Sequence, residues 1–294
     1  MNNSAFRTLV IEKAGSAYLR DGLLCLDNED GSHEFAISQL SAVVIMTPAL
    51  SVTSALLAEL AVRNVTVIVC NSKKLPAGEC HPIGATSLPA ARIQEQAKWS
   101  AERKQGIWRE IVKHKIGNSA ALLCSLGKKN EGDRLLAQAE CVTDGDMNNR
   151  EAICAKIYFH ALFGYTFSRD AHNDINAALN YGYSILASHI SRFLCGNSYS
   201  PALGIHHGNA ANFWNLTYDL IEPFRVFVDR RVYARADAPF DGECKKILIE
   251  NGETPVLYNG RKTILTQAMD QFCTEVLRSL SEENMPEIGR VELV

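Results

Sequence analysis

The sequence lacks the features that mark several large classes of protein. No apolar run approaches the ~20 residues that a membrane-spanning helix requires, so no contact with a membrane is expected. A secretion signal has a basic segment followed by an apolar core. Residues 1–7 do not begin such a pattern. No G-x-S-x-G motif and no cysteine in a motif context is present, so no side-chain nucleophile is predicted.

Paired cysteines are also missing. The nine cysteines are scattered singly, and no C-x-x-C spacing occurs among them. An odd number of isolated cysteines argues against a disulfide framework and against a cysteine zinc site. Free thiols are typical of a reducing compartment, so we expect a cytoplasmic protein.

An excess of positive charge is absent as well. The chain has 30 Lys and Arg against 33 Asp and Glu, a net charge of -3. A protein of this composition that binds nucleic acid needs a local basic surface. One candidate is the helix predicted over 91–116, with seven Lys or Arg against three Glu. Two interpretations stay open, a solvated helix face and a DNA-phosphate surface, the latter formed by Arg103, Lys104, Arg109, Lys113 and Lys115.

What is present is an ordinary globular composition, with 47% hydrophobic residues in 294. Its patterning predicts an α+β protein with a small N-terminal β-rich domain over 1–75 and a larger all-α domain over 91–294. Prolines and glycines predict a linker over 76–90. The expected strands are 6–11, 18–26, 41–46 and 65–70, with one helix capped by Ser51 and running to about Arg63.

The expected helices of the second domain follow the 3.6-residue period. They cover 91–116, 119–126, 133–141, 148–163, a segment opening near 179, and 263–280. A small β-excursion is expected between 246 and 258, with 246–250 as its first strand.

The stretch 204–225 concentrates side chains that bind metals. It contains His206 and His207, and Asp219 and Glu222 stand at i and i+3, so on a helix they share one face. Glu151 lies in the first turn of the predicted helix 148–163. Carboxylates with an imidazole suit Mg²⁺ or Mn²⁺. The spacing alone also fits a solvated helix face, with Glu151 as an acid at the positive end of a helix dipole.

Three motifs together carry a family resemblance. They are L-G-I-H-H-G-N-A-A-N-F-W-N-L-T-Y-D-L-I-E-P-F-R over 203–225, N-R-E-A-I-C-A-K-I-Y-F over 149–159, and A-A-L-N-Y-G-Y-S-I-L over 177–186. In this order they resemble the CRISPR-associated spacer integrase, the Cas-one family, in the short form of type II systems. The resemblance extends to the N-terminal strands and covers nearly the whole chain.

The resemblance implies a β-domain that forms a homodimer and an α-helical catalytic domain. It implies Glu151, His207 and Glu222 as ligands of Mg²⁺ or Mn²⁺, with His207 preferred to His206 because it stands three residues after Gly204. Asp219 is implied as a supporting acid. From the residues themselves, we expect Arg225 to pair with Glu222 or with phosphate, and Asn180 to be a polar core residue, a cap for a neighbouring helix or a ligand contact.

The activity implied is metal-assisted transesterification in CRISPR adaptation. The 3′-hydroxyl of a short double-stranded DNA, the prespacer, attacks a phosphodiester at the CRISPR repeat, in a complex with the Cas-two subunit. Two alternatives remain: a non-catalytic subunit that positions DNA, and a metal-dependent phosphoesterase acting on a small substrate. Steeply salt-dependent DNA binding distinguishes the integrase from the phosphoesterase.

Overall fold

The computed structural model describes residues 7–72, 76–80, 89–282 and 288–293. Contacts divide the chain into two units, the first formed by Met1–Arg92 with Ser191–Tyr199 and the second by Ile93–Ile190 with Ser200–Val294. The strand-rich N-terminal part is followed by a mainly helical part, which confirms the predicted α+β class. None of the helices in the described part of the chain is both long and apolar enough to cross a bilayer.

The N-terminal part of the chain forms two four-stranded sheets. In one, the order is β1-β5-β7-β8, and in the other it is β4-β3-β2-β6. The elements are β1 Arg7–Ile11, β2 Gly15–Arg20, β3 Leu23–Asn28, β4 Gly31–Ala36, β5 Leu40–Ile45, β6 Leu50–Val52, α1 Ser54–Val62, β7 Thr66–Cys70 and β8 Pro76–Cys80. Apolar side chains of β3, β5, β7 and α1 form the shared core of this unit.

The prediction of a single strand over 18–26 is wrong. Asp21 and Gly22 both have positive φ, 51° and 76°, and they form the turn of an antiparallel hairpin between β2 and β3. Asp-Gly is the dipeptide that such a two-residue turn prefers, because both positions need left-handed backbone. The apolar run on both sides of the turn concealed it.

Two boundaries in the N-terminal unit also differ from the predictions. Thr53, not Ser51, caps α1, because its side chain accepts a hydrogen bond from Leu56 N and residues 50–52 form β6. Part of the predicted linker 76–90 is ordered, since Pro76–Cys80 pairs antiparallel with β7. Pro76 stands at the first position of the outermost strand, where a missing N–H is tolerated. Residues 81–88 lie outside the described part.

The second unit is built around one long helix. The elements after β8 are α2 Pro89–Gln96, α3 Ala101–Ser125, α4 Lys129–Ala139, α5 Arg150–Phe163, α6 Asp174–Gly196, α7 Asn215–Ile221, α8 Arg225–Tyr233, α9 Gly242–Ile249, β9 Pro255–Tyr258, β10 Arg261–Ile264, α10 Leu265–Ser281 and β11 Val291–Leu293. Helix α3 packs against α4, α5, α8 and α10.

The helices predicted over 91–116 and 119–126 have different boundaries. The first helix, α2, ends at Gln96. A new helix, α3, begins at Ala101, and the Ser100 side chain caps it by accepting a hydrogen bond from Arg103 N. Helix α3 then continues through both predicted segments. Eleven of its residues are buried, including Trp108 and Ile111. The helix for which a solvated face and a DNA-phosphate surface were both open therefore also contributes to the core.

The second unit also contains a small sheet, which corresponds to the β-excursion predicted within the otherwise helical domain. Strands β10, β9 and β11 form it in that order. The β-excursion begins later than predicted, because 246–250 lies mostly in α9. Asp241 caps that helix by accepting a hydrogen bond from Cys244 N. The apolar side chains of residues 246–250 fit the buried face of a helix as well as a strand. The Asp241 cap favours the helix.

All nine cysteines carry free thiols, as predicted from their scattered positions. Five of them are buried, in both units of the chain.

Helices α6 and α8 approach closely at a glycine. A Cβ atom at Gly182 would overlap Val228 Cγ1 and would lie 3.0 Å from Val228 Cγ2. Gly117 in α3 provides a contrast, because a Cβ there would meet no atom within 4 Å.

We expect Gly182→Ala to lower the free energy of unfolding by about 1–3 kcal/mol, because the added methyl overpacks the core. The matched variant Gly117→Ala should raise it by about 0.5–1 kcal/mol through helix propensity. Chemical denaturation followed by circular dichroism measures both. Equal stabilisation by the two substitutions would show that α6 and α8 are not in close contact at Gly182.

A buried carboxylate connects α5, α6 and α8. Asp229 is 2% exposed. It accepts hydrogen bonds from Tyr158 Oη at 2.8 Å and Tyr183 Oη at 2.5 Å. Burial raises the pKa of Asp229 to about 6, although these hydrogen bonds and the charge of Arg225 act in the opposite direction.

This raised pKa predicts a pH-dependent contribution to stability. Because the folded-state pKa lies above the unfolded value of 3.8, the contribution is fully present below pH 4 and is lost as the pH rises through about 6. The loss is roughly 3 kcal/mol from 1.36 kcal/mol per pKa unit. The stability difference between wild type and Asp229→Asn, measured by denaturation from pH 4 to 7.5, should change in favour of the variant by this order. A constant difference would contradict the prediction.

Candidate active site

Asp219 organises the loop that carries the histidines. Its carboxylate is fully buried in α7. Oδ2 accepts hydrogen bonds from Ile205 N at 2.6 Å and His206 N at 3.0 Å, and Oδ1 accepts from His207 N at 3.1 Å. A Cβ at Gly204 would lie 2.9 Å from Asp219 Oδ2 and would overlap the His207 carbonyl. The motif glycine therefore lets the backbone wrap around this carboxylate.

The same carboxylate orients the His207 ring. Nδ1 of His207 lies 2.6 Å from Asp219 Oδ1. An ionised carboxylate only accepts, so Nδ1 carries the proton and Nε2 is left to bind a metal or a substrate. The pKa of His207 is raised, chiefly by the hydrogen bond to Asp219, with further contributions from the charges of Glu222 and Glu151. The charges of Glu222 and Glu151 therefore act on the ring that Asp219 orients.

His206 has a different environment. Its ring stacks on the buried Trp108 of α3, with centroids 4.4 Å apart and planes within 2°. The His207 ring meets the same indole edge-on at 5.7 Å. Trp108 therefore contacts both rings of the histidine pair. This role was not predicted, because an indole in an apolar helix stripe indicates a core residue.

Glu222 follows α7 in a short 3-10 turn, Glu222–Phe224. Ile221 and Glu222 both keep right-handed helical dihedrals, so the change of helix type comes directly after the Asp219-to-Glu222 spacing. Pro223 cannot donate a backbone hydrogen bond, so the α-helical ladder is interrupted there. The Pro223 carbonyl accepts a hydrogen bond from Asn118 Nδ2 of α3 at 2.8 Å.

Two cations contact the buried Glu222 carboxylate, which is 4% exposed. Arg225 Nη2 lies 2.9 Å from Oε1, and Lys115 Nζ lies 2.6 Å from Oε2. Burial raises the pKa of Glu222, but the charges of Arg225 and Lys115 outweigh it, so the pKa is lowered overall. Glu222 is held as a carboxylate. Oε2 accepts no well-aligned hydrogen bond, so its contact with Lys115 is an ion pair.

Glu151 reaches the same lysine from α5. Its Oε1 accepts a hydrogen bond from Lys115 Nζ at 2.6 Å. Asp146 sets the start of α5, because its carboxylate accepts hydrogen bonds from the backbone N atoms of Arg150 and Glu151, at 2.8 and 3.0 Å. The interpretation of Glu151 as an acid at a helix start holds, and its side chain also faces Glu222 across one ammonium.

Lys115 thus does not lie on an exposed basic surface. Its side chain is 19% exposed, and its ammonium bridges two carboxylates. Burial lowers the pKa of Lys115, but the charges of Glu222 and Glu151 outweigh this effect, so the pKa is raised overall.

The other basic residues of the predicted DNA surface are also partly engaged within the protein. Arg109 pairs with Glu110 and Asp144. Arg103 Nη1 lies 3.4 Å from the Leu280 carbonyl. Lys104 and Lys113 are half-buried.

A cavity of about 230 Å³ lies beside the carboxylates. Glu151, Glu222 and Asp229 line it together with Lys115, Arg225 and Arg169. Arg169 was not predicted, because it stands in a polar segment without periodicity. Its guanidinium donates to Asn176 at 2.5 Å and to Asn180 at 2.7 Å. Asn180 therefore supports a cation of the cavity wall.

Arg225 forms the predicted ion pair with Glu222 and also lies over the Tyr183 ring, 4.5 Å from its centroid. The aromatic face and the carboxylate restrain the guanidinium from two sides.

The donor set suits a divalent ion. Within the described residues, no three His, Cys, Asp or Glu side chains are already gathered around one point as a metal cluster. However, two carboxylates share one cation, Glu222 Oε2 has no aligned hydrogen bond, and Nε2 of His207 is left to coordinate. Carboxylate and imidazole ligands of this kind fit Mg²⁺ or Mn²⁺.

Comparison with known proteins agrees with the motifs. An endonuclease from Neisseria meningitidis serogroup C (strain 8013), named CRISPR-associated endonuclease Cas1, is 29% identical over 98% of this chain and 97% of its own. A casposase bound to its integration product has a similar fold, with a TM-score of 0.78, 18% identity and coverage of 98% and 96%. A chain of a Cas6-RT-Cas1–Cas2 complex matches with a TM-score of 0.72 and 17% identity, over 97% of this chain and 36% of that one.

The profile of one family, described as CRISPR associated protein Cas1, matches residues 9–237. This range contains the histidine loop, the carboxylates and Lys115. The chain belongs to the CRISPR-associated protein Cas1 family.

Proposed function

We propose that this protein is a metal-dependent DNA integrase and endonuclease of CRISPR adaptation, which inserts short DNA fragments into a CRISPR array. The observations that carry the proposal are the carboxylates of Glu151 and Glu222, which contact one ammonium, and a histidine that Asp219 orients and whose pKa their charges raise. The endonuclease name of the relative and the integration product bound by the casposase support it.

Glu151, Glu222 and His207 would hold Mg²⁺ or Mn²⁺ in this proposal. When bound, the ion supplies Lewis-acid activation of the phosphodiester and lowers the pKa of the attacking 3′-hydroxyl. Asp219 keeps the proton on Nδ1 of His207 and so presents the Nε2 lone pair. Arg225 keeps Glu222 ionised inside the protein. Arg169 and Arg225 place positive charge on the cavity wall where phosphate oxygens would enter.

The partners we propose are double-stranded DNA, as prespacer and CRISPR repeat, and a Cas2 subunit. The Cas6-RT-Cas1–Cas2 complex, whose chain has the same fold, supports the second partner. We further propose a homodimer formed through the N-terminal β-rich unit and a cytoplasmic location, which the nine free thiols support.

Two substitutions test the chemistry. We expect His207→Ala and Glu222→Gln to abolish half-site integration into a supercoiled CRISPR plasmid, assayed with the Cas2 partner and Mn²⁺. Gln is chosen because it keeps an oxygen beside the buried Arg225, whereas Glu222→Ala would remove the group that Arg225 contacts, which costs several kcal/mol. Glu140→Gln, at an exposed position of the chain, is the control and should retain full activity.

Circular dichroism should show that all three variants are folded. Integration that persists in both site variants would overturn the site assignment. DNA binding by the wild type should weaken steeply as salt rises. Hydrolysis of small phosphoesters without salt-sensitive DNA binding would overturn the integrase proposal and favour a phosphoesterase.

A further inference from the structure

Lys115 holds an unusual position among the basic residues of α3. Its Nζ atom lies 2.6 Å from Glu151 Oε1 and 2.6 Å from Glu222 Oε2, which come from α5 and from the 3-10 turn. The side chains of the three residues are 19%, 25% and 4% exposed. Because both oxygens contact the same nitrogen, they are at most about 5.2 Å apart, within the range in which one cation contacts both.

We propose that Lys115 is the resident counter-cation of this carboxylate pair: it holds Glu151 and Glu222 together in the metal-free protein and is displaced when a divalent ion binds. The inference rests on the proposed function, because it concerns the residues proposed there to hold the ion. It makes Lys115 a positioning residue that sets the metal affinity of the site.

The first argument is electrostatic. Two carboxylates this close repel each other, and the repulsion is stronger in the interior than in water. Arg225 neutralises Glu222 from the Oε1 side, whereas Glu151 pairs with Lys115. Lys115 relieves this repulsion in the metal-free protein. Without its ammonium the repulsion is uncompensated, so a divalent ion gains more free energy by binding there.

The second argument is competition. An ammonium and a divalent ion cannot occupy the same point between Glu151 Oε1 and Glu222 Oε2. The apparent metal affinity equals the intrinsic affinity multiplied by the fraction of molecules in which the Lys115 ammonium does not occupy this point. Lysine suits this exchange, because its charge sits on a flexible stem without the fixed planar geometry of arginine. Arg225, restrained by Tyr183 and by Oε1, is not placed to leave.

The direct test is Mn²⁺ binding to the purified full chain without DNA, measured by isothermal titration calorimetry. We expect Lys115→Met to bind Mn²⁺ about fivefold or more tightly than the wild type, a typical coupling between two ligands of one site. Lys115→Arg keeps the cation and should bind no tighter than the wild type. Lys156→Met removes an exposed lysine of α5 and should leave the affinity unchanged.

A second measurement needs no substitution. Acetylation of the Lys115 amine, followed by mass spectrometry, should be slow in the metal-free protein and should become severalfold faster with saturating Mn²⁺. The Lys156 amine, read in the same digest, should not change. This readout remains available if Lys115→Met fails to fold, and it reports displacement rather than loss of a nearby charge.

The outcomes separate the two proposals. If the wild type binds Mn²⁺ and Glu222→Gln does not, the proposed metal site stands. In that case, a Lys115→Met variant that binds no tighter than the wild type, together with unchanged acetylation, would overturn the role of Lys115 alone. If no variant and no wild-type protein binds Mn²⁺, the proposed metal site and the role of Lys115 are both wrong.

Discussion

The site depends on a carboxylate buried in the interior with two cations around it. Glu222 is 4% exposed, and a buried charge persists only when partners replace the water that it loses. Arg225 supplies one partner from the start of α8, and Lys115 supplies the other from the centre of α3. Lys115 also binds Glu151, so a single chain of charges joins α3, α5 and α8. The position of each helix therefore depends on the same residues that are proposed to bind the ion, and the chemistry cannot be altered without a cost to packing.

Helix α3 organises both halves of the site. Trp108 and Lys115 are seven residues apart, two turns along the helix, and so they lie on one stripe. Trp108 stacks on His206 and contacts His207 edge-on, while Lys115 bridges the carboxylates. The buried carboxylate of Asp219 completes the histidine half by binding three successive backbone N–H groups. A core helix with an aromatic and a cation in register thus brings the histidine loop and the carboxylate pair together, although they are far apart in sequence.

The sequence predicted the parts of the fold that local patterns encode. Periodicity indicated strands followed by helices, and the motifs selected Glu151 and Glu222, which contact one ammonium, and His207, which contacts Asp219. Periodicity failed where one residue type decides: the Asp21-Gly22 turn divides an apolar run, and the Asp241 cap makes a helix of a segment with strand composition. It also failed for Lys115, which a local charge count places on a basic surface. Its partners stand 36 and 107 positions away in the chain, and no spacing rule relates residues across such distances.

The charge of this protein is better judged at the cavity than over the whole chain. A net charge of -3 argues against a DNA-binding protein, yet three cations, Lys115, Arg169 and Arg225, line the cavity against three acids, Glu151, Glu222 and Asp229. The lining is therefore balanced when all six groups are ionised, and a divalent ion bound by the proposed ligands would make it positive, even with Lys115 displaced. Because the field of a cleft is focused by its low-dielectric walls, that local excess is enough to attract a phosphodiester to an otherwise acidic protein. The acidic composition and a DNA substrate are compatible on these terms.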